Sequence, residues 1–197
     1  MTRLEIIQKL INKYNFNSYL EIGLDSGAVF NKINVDFKES VDPAEGQYKH
    51  AKPTYKMTSD EFFEKYPDKK YDIIFIDGLH ESHQVTKDIH NSINALNKGG
   101  IVVLHDCNPK TEEAQIVPRQ TKMWNGDVWK SFVLFSYYNK DNYRCFTIDT
   151  DSGCGVIMEG TTEINYDMPE YLTYEWLVTN RSSALNLVSI EDFNDMI

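Results

Sequence analysis

The chain is poor in the residues that staple a fold or carry it across a membrane. Its three cysteines, Cys107, Cys145 and Cys154, form neither an even set nor a CxxC pair, so neither a disulfide framework nor a structural zinc site has support. Basic residues are the minority charge, 20 Lys and Arg against 30 Asp and Glu, for a formal charge of −10. That balance repels phosphate backbones and anionic lipid, and no local basic cluster reverses it, which argues against a nucleic-acid partner. No apolar run approaches the ~20 residues that a membrane span needs. The start, MTRLEIIQKLINKYN, has no secretory apolar stretch or cleavage site, so a cytoplasmic location without a membrane partner is the expectation. Repeats, low-complexity tracts and linkers are also missing.

What is present is an ordinary globular composition: 197 residues, 41% hydrophobic, 13% aromatic and 25% charged. One domain spanning 1–197 is expected, burying roughly 70% of the unfolded chain's surface. Leu4, Ile7, Leu10 and Ile11 share one face of a helix over 2–13, and Thr2-Arg3-Leu4-Glu5 has capping-box spacing. SYLEIG (18–23) and the following AVFNKI read as strand, glycine turn and helix, and KESVD (38–42) as a second strand. AEGQYKHAKP (44–53) reads as a loop and TYKM as a third strand, with Ser59 capping a helix that turns Phe62, Phe63 and Tyr66 inward.

YDIIFID (71–77) and GGIVVLHD (99–106) are continuous apolar runs of the kind a strand buried on both faces requires. Between them Val85, Ile89, Ile93 and Leu96 fall at helical spacing, with Gly99-Gly100 as the stop. This βαβ unit argues for a mostly parallel α/β sheet covered on both faces. Residues 107–126 form a long polar connection, a candidate lid carrying Arg119 and Lys122. Asp127 is placed to cap a helix with Val128, Phe132 and Phe135. RCFTIDT and GCGVIMEG flank the turn Asp151-Ser152-Gly153 as an antiparallel hairpin at the sheet edge. A helix near 170–187 and a short SIEDF turn close the chain.

In an open parallel sheet, ligands bind beyond the carboxyl ends of the strands where strand order reverses. At the first such end stands Glu21-Ile22-Gly23-Leu24-Asp25-Ser26-Gly27, whose glycines permit a tight turn and close backbone approach. At the second stands Asp42, a carboxylate able to accept both ribose hydroxyls of a nucleoside. A dinucleotide enzyme would want G-x-G-x-x-G, which this spacing does not supply. Asp77 and Asp106 end the two strongest strands and should meet over one crevice, where two carboxylates need a cation or a proton between them. With His105 they form a candidate divalent-metal set (Mg²⁺ or Mn²⁺). His80, on the loop leaving Asp77, is an imidazole suited to general-base work. His83 and His90 read as structural. Trp124, Trp129, Tyr174 and Trp176 either line a pocket or belong to the core.

Glu21-x-Gly23-x-x-x-Gly27 with Asp42 in SVDP resembles the binding signature of class I S-adenosylmethionine-dependent methyltransferases. The stretch IIFIDGLHESHQVTKDIHNSINALNKGGIVVLHDCNP is similar to small methyltransferases with an FIDG-x-H loop and to metal-assisted O-methyltransferases of sugars and catechols. With GDVWK and the FTIDTDSGCGVI hairpin, the likeness spans roughly residues 15–160, leaving 161–197 as a helical extension. It implies a Rossmann-like doubly wound sheet of seven strands with an antiparallel C-terminal hairpin. It implies that Glu21, Gly23, Gly27 and Asp77 surround the amino-acid portion and sulfonium, that Asp42 holds the ribose, and that Ser59 and Asp60 lie near the adenine. It implies His80 as catalytic base, with Asp77 and Asp106 orienting a small-molecule or sugar hydroxyl. His105 stands where related metal enzymes carry an acid, and Cys107 where catechol-type enzymes carry an amide. The rival expectation is a methyltransferase-like accessory protein that keeps the nucleoside pocket without turnover. The acceptor's identity and the oligomeric state, a homo-oligomer included, stay open.

Overall fold

A computed structural model describes residues 1–44 and 51–197; most of the 44–53 loop expected from sequence lies outside them. Helix α1 (Arg3–Tyr14) begins at the expected box, the Thr2 hydroxyl accepting from the Glu5 N–H while the Glu5 carboxylate accepts from the Thr2 N–H. Strands β1 (Ser18–Ile22) and β2 (Phe37–Val41) follow. The helix expected between them is a single 3-10 turn, Phe30–Lys32. AVFNKI buries only Ile33 fully, too little apolar surface to hold a longer helix against the sheet.

Helix α2 (Ser59–Lys65) is capped by Thr58, one residue before the expected Ser59, because Thr58 and Glu61 form the reciprocal box. The expected third strand shrinks to one parallel bridge, Val41 to Tyr55. Strand β3 (Tyr71–Ile76), helix α3 (Ser82–Asn94) and strand β4 (Leu96–Leu104) form the βαβ unit. Here α3 stops at Ala95, and Leu96 and Gly99 already belong to β4, so the glycine pair does not end the helix as expected.

The 107–126 connection holds one short helix, α4 (Glu112–Gln115). Helix α5 (Val128–Tyr138), strands β5 (Tyr143–Ile148) and β6 (Cys154–Glu159), helix α6 (Tyr174–Ala184), strand β7 (Leu187–Val188) and helix α7 (Ile190–Met196) complete the chain. The SIEDF segment is thus a helix start, not a turn. The seven strands run β2-β1-β3-β4-β6-β5-β7. β2, β1, β3 and β4 are parallel, and β6 is antiparallel to both β4 and β5. The hairpin is antiparallel as expected but is not the edge, because β7 pairs in parallel with β5. The Rossmann-like α/β sheet is therefore as expected, and its seventh strand comes from the C-terminal segment.

Alternate side chains of each central strand enter opposite layers. Ile74 and Ile76 pack with Phe62, Val85, Ile89, Trp129 and Phe132 on the α2, α3 and α5 side. Ile73 and Phe75 pack with Ile6, Ile7, Leu10 and Phe193 on the α1 and α7 side. Strand order reverses between β1 and β3, which places the carboxyl-end crevice beside Gly23 and Asp77. Among the described residues no helix is long and apolar enough to cross a membrane.

Candidate active site

At the switch point two backbones nearly touch. The Asp77 N–H donates to the Ile22 carbonyl at 2.8 Å and the Gly23 N–H to the Val41 carbonyl at 2.9 Å, so the turn after β1 is clamped from both neighbouring strands. Gly23 has φ +88°, and a Cβ there would lie 2.2 Å from the Asp77 carbonyl oxygen. Only glycine fits such an approach. Gly27 (φ +71°) closes the turn, its N–H donating to Leu24 O at 2.7 Å.

Asp42 stands at the end of β2 as expected and organises the same turn. Its Oδ2 accepts from the backbone N–H of Leu24 (2.7 Å) and Asp25 (3.2 Å), and Oδ1 from that of Ala44 (2.5 Å). Glu21 is buried on the face of β1 that carries Tyr19, whose hydroxyl donates to it; burial pushes its carboxyl up to about 8. Ser59 and Asp60 are tied to α3: the Ser59 hydroxyl donates to Asp88 (2.6 Å), and Asp60 accepts from Gln84 and Lys87.

The ends of β3 and β4 bring Asp77, His80, His105 and Asp106 together. His80 Nε2 lies 3.5 Å from Asp77 Oδ1, and Nδ1 lies 3.1 Å from Asp106 Oδ2. His105 Nδ1 lies 3.0 Å from Asp106 Oδ2 and 3.3 Å from Asp77 Oδ1. Burial alone would lower the pKa of both imidazoles. The carboxylates outweigh it, raising His80 above the ordinary imidazole range and His105 to about 11. Burial would likewise raise Asp77, but the hydrogen bonds from His105 and His80 hold its carboxyl well below the usual range. Asp106 itself has φ +62°, a left-handed backbone at the strand end, and its Oδ1 accepts from Asn125 Nδ2 at 2.7 Å. Backbone strain of this kind gathers at functional sites.

The 107–126 connection reaches back over this cluster. Trp124 stacks on His80 with ring centroids 5.2 Å apart and planes 9° from parallel, and the Arg119 guanidinium lies 5.7 Å from the Trp124 ring. Gly126 (φ +62°) packs on the His80 backbone, where a Cβ would meet the carbonyl at 1.8 Å. Asp127 sits at the start of α5 as expected but makes no cap bond to it. Its carboxylate accepts instead from the Ser82 N–H (2.6 Å) and hydroxyl (2.9 Å), fixing the loop that carries His80 to α3. Of the other aromatic candidates, Trp129 is fully buried and Trp176 stacks against it, while Tyr174 meets Arg181. His83 is exposed and His90 lies edge-on to Phe135.

Two charged participants escaped the sequence reading. Arg3 places Nε 3.6 Å from Asp77 Oδ2, and Nη1 3.0 Å from Asp151 Oδ1 and 2.7 Å from His105 Nε2. The guanidinium can only donate, so it opposes the proton affinity that the carboxylates confer on His105. Asp151, in the β5–β6 turn, is held at about 2, chiefly by its hydrogen bond with His105 and then by Arg3. Its contribution to stability is complete above the ordinary aspartate range and is lost as pH falls through about 2. Thermal melts of Asp151→Asn should therefore be lower than wild type at pH 5 and converge with it toward pH 2; a constant gap across that range would contradict this.

Asp77, His80 and Asp106 each offer one donor atom, all within 4.8 Å of one another. His80 Nδ1 is buried without a hydrogen-bond partner although it lies 3.1 Å from Asp106 Oδ2. An imidazole nitrogen and a carboxylate oxygen that close, but not bonded to each other, fit two ligands of one small cation. His105 touches the same carboxylates from the Arg3 side.

A doubly wound sheet with a glycine turn and paired acids at its switch point defines the class, an α/β fold of methyltransferase type. The family model described as a methyltransferase domain matches residues 20–107. No curated protein matches the sequence. An O-methyltransferase from Bacillus cereus in complex with SAH is similar with TM-score 0.54 at 14% identity, covering 79% of each chain. The O-methyltransferase TomG from Streptomyces achromogenes, in complex with SAM, gives 0.52 at 12%, covering 80% of this chain and 79% of that one. The MycE methyltransferase of mycinamycin biosynthesis, with Mg and SAH, gives 0.50 at 13%, covering 90% of this chain and 54% of that one. At these identities the likeness shows the fold alone.

Proposed function

We propose that the chain is an S-adenosylmethionine-dependent methyltransferase acting on a hydroxyl of a small-molecule or sugar acceptor, with His80 as the base. The observation that carries this reading is His80 set between Asp77 and Asp106 at the carboxyl ends of β3 and β4, on the loop whose first residues, Asp77 and Gly78, pack against Gly23. The bound nucleoside supplies a methyl group activated on a sulfonium sulfur. Three of the about four lone-pair sites of the Asp42 carboxylate are taken by backbone N–H groups, which leaves one on Oδ1 for a ribose hydroxyl, and the Gly23 turn leaves backbone exposed to the amino-acid portion.

His80 takes the acceptor's proton as its oxygen bonds to the methyl carbon and the carbon–sulfur bond breaks, the electron pair staying on sulfur. Proton and methyl are both accounted for, and the sulfonium leaves neutral as the thioether. Alignment is the larger part of such an in-line displacement; Asp77 and Asp106 hold the imidazole, and Trp124 fixes its plane. With His80 serving as the base, a divalent cation would be held by the carboxylates of Asp77 and Asp106 and would polarise the acceptor oxygen; the similar MycE structure contains Mg.

Titration calorimetry of the chain with S-adenosylmethionine and S-adenosylhomocysteine tests the reading. One site per chain is expected, weakened about ten-fold or more in Asp42→Ala, which loses a hydrogen bond to a charged group and the anchor of the Gly23 turn. Absence of heat with either nucleoside in the wild-type chain would overturn it.

A further inference from the structure

We propose that Arg3 is a positioning residue of this site: it presents Asp77 Oδ1 to His80 and supplies the fixed positive charge that lets three carboxylates stand together. The inference rests on the reading above in taking His80 as the reacting base. Its grounds are the anchoring of Arg3, its partner atoms and its charge.

The anchoring is main-chain. The β5–β6 turn grips the start of α1 twice, through the Thr150 hydroxyl donating to Met1 O at 2.6 Å and Asp151 Oδ2 accepting from the Arg3 N–H at 2.7 Å. The capping box fixes the same turn of helix. α1 precedes β1 and delivers its first residues to the strands' carboxyl ends, so the guanidinium reaches the crevice without a long loop. The side chain is one-third exposed, yet its Nε is buried and has no hydrogen-bond partner. That atom is aimed at Asp77.

The partner atoms divide Asp77 in two. Arg3 Nε faces Oδ2, whereas Oδ1 faces both imidazoles. A cation on one oxygen turns the other toward His80, as outer partners of a site commonly do. Asp151 anchors the guanidinium from the far side.

The charge is permanent. Asp77, Asp106 and Asp151 crowd against groups of which two are imidazoles that can lose their proton; a guanidinium cannot. A fixed positive charge beside Asp77 also opposes entry of a second cation, so Arg3 keeps the affinity of the cluster for divalent ions low.

The test compares wild type with Arg3→Gln, Arg3→Met and Arg3→Lys by Mn²⁺ titration calorimetry on the nucleoside-free protein, by thermal melts, and by kcat and KM for S-adenosylmethionine. Both neutral variants should bind Mn²⁺ about ten-fold or more tightly than wild type, and kcat should fall about ten-fold or more with KM within about two-fold. Arg3→Lys should keep the wild-type Mn²⁺ affinity, because the charge remains, while losing part of kcat with the fork geometry. Mn²⁺ affinity that is unchanged or weaker in both neutral variants, or no Mn²⁺ binding in any form, overturns the proposal. Should both neutral forms fail to fold, Arg3→Lys decides: reduced kcat at constant Mn²⁺ affinity supports it, and unchanged kcat overturns it. Failure of wild type to bind the nucleoside would sink the methyl-transfer reading instead, and leaves the Mn²⁺ comparison to be read on its own.

Discussion

Replacing His80 by alanine should lower kcat by about 10²–10⁴-fold, the span over which a positioned general base usually contributes. Affinity for S-adenosylmethionine should stay within a small factor. The separation follows from where the groups sit. The Gly23 turn and Asp42 are held by β1, β2 and β3 backbone, whereas the His80 side chain meets Asp77, Asp106 and Trp124. Calorimetry on the variant measures the first property and steady-state assay the second. Because the two carboxylates raise the pKa of the imidazole despite its burial, the neutral form needed to accept a proton predominates only above the ordinary imidazole range. The wild-type rate should therefore climb with pH through that raised value and then level, and Asp106→Asn should move the climb to lower pH. A His80→Ala enzyme with turnover within ten-fold of wild type would remove His80 from the chemistry, whatever its affinity for the nucleoside.

The strands that carry this site were legible because burial on both faces writes itself into sequence. IIFI within YDIIFID and the run GIVVL are apolar throughout, and they form β3 and β4, with Asp77 and Asp106 just beyond the strand ends. The weaker elements were misread where local pattern and tertiary demand part. TYKM has strand-like residues, yet only Tyr55 reaches the sheet. The glycine pair looks like a helix stop, but the strand starts before it, and Gly99 in open space tolerates φ +75° inside β4. The seventh strand, Leu187–Val188, is two residues long and owes its existence to β5 alone, so no periodicity could announce it.

Within the site, sequence order found the residues that end strands and missed those that arrive from elsewhere. Arg3 lies inside a capping box and reads as a helix-start residue; Asp151 lies in a hairpin turn and reads as turn chemistry. Both are those things as well. What brings them to His105 and Asp77 is the return of α1 and of β5 to one end of the sheet, a consequence of topology that spacing along the chain does not contain. Asn125, and the pairing of the candidate Trp124 with His80, go unannounced for the same reason: the 107–126 connection folds back on Asp106 and His80 through contacts that its polar composition leaves unspecified.

Gly23→Ala should destabilise the fold by about 3–5 kcal/mol, a large share of the roughly 5–15 kcal/mol that holds a domain together. Two costs combine there. A side chain at φ +88° costs on the order of 1–2 kcal/mol by itself, and the added methyl would sit 2.2 Å from the Asp77 carbonyl oxygen and 2.5 Å from Gly78 Cα. Neither neighbour is the free end of a side chain, so relief requires β1 and β3 to part at the switch point. Gly99→Ala separates the two costs. Gly99 has φ +75° with nothing within 4 Å of the added carbon, so it should lose only the conformational part, on the order of 1–2 kcal/mol. Denaturant melts of the two variants, read against wild type, give the difference directly. If the gap is as expected, the close approach of two backbones is what glycine secures at position 23, and any Gly23→Ala protein that still folds should bind S-adenosylmethionine weakly because its turn has been pushed out of place. Equal losses at the two positions would mean that the switch point yields to a methyl group, and the turn would then be too soft to serve as the rigid wall of a nucleoside site.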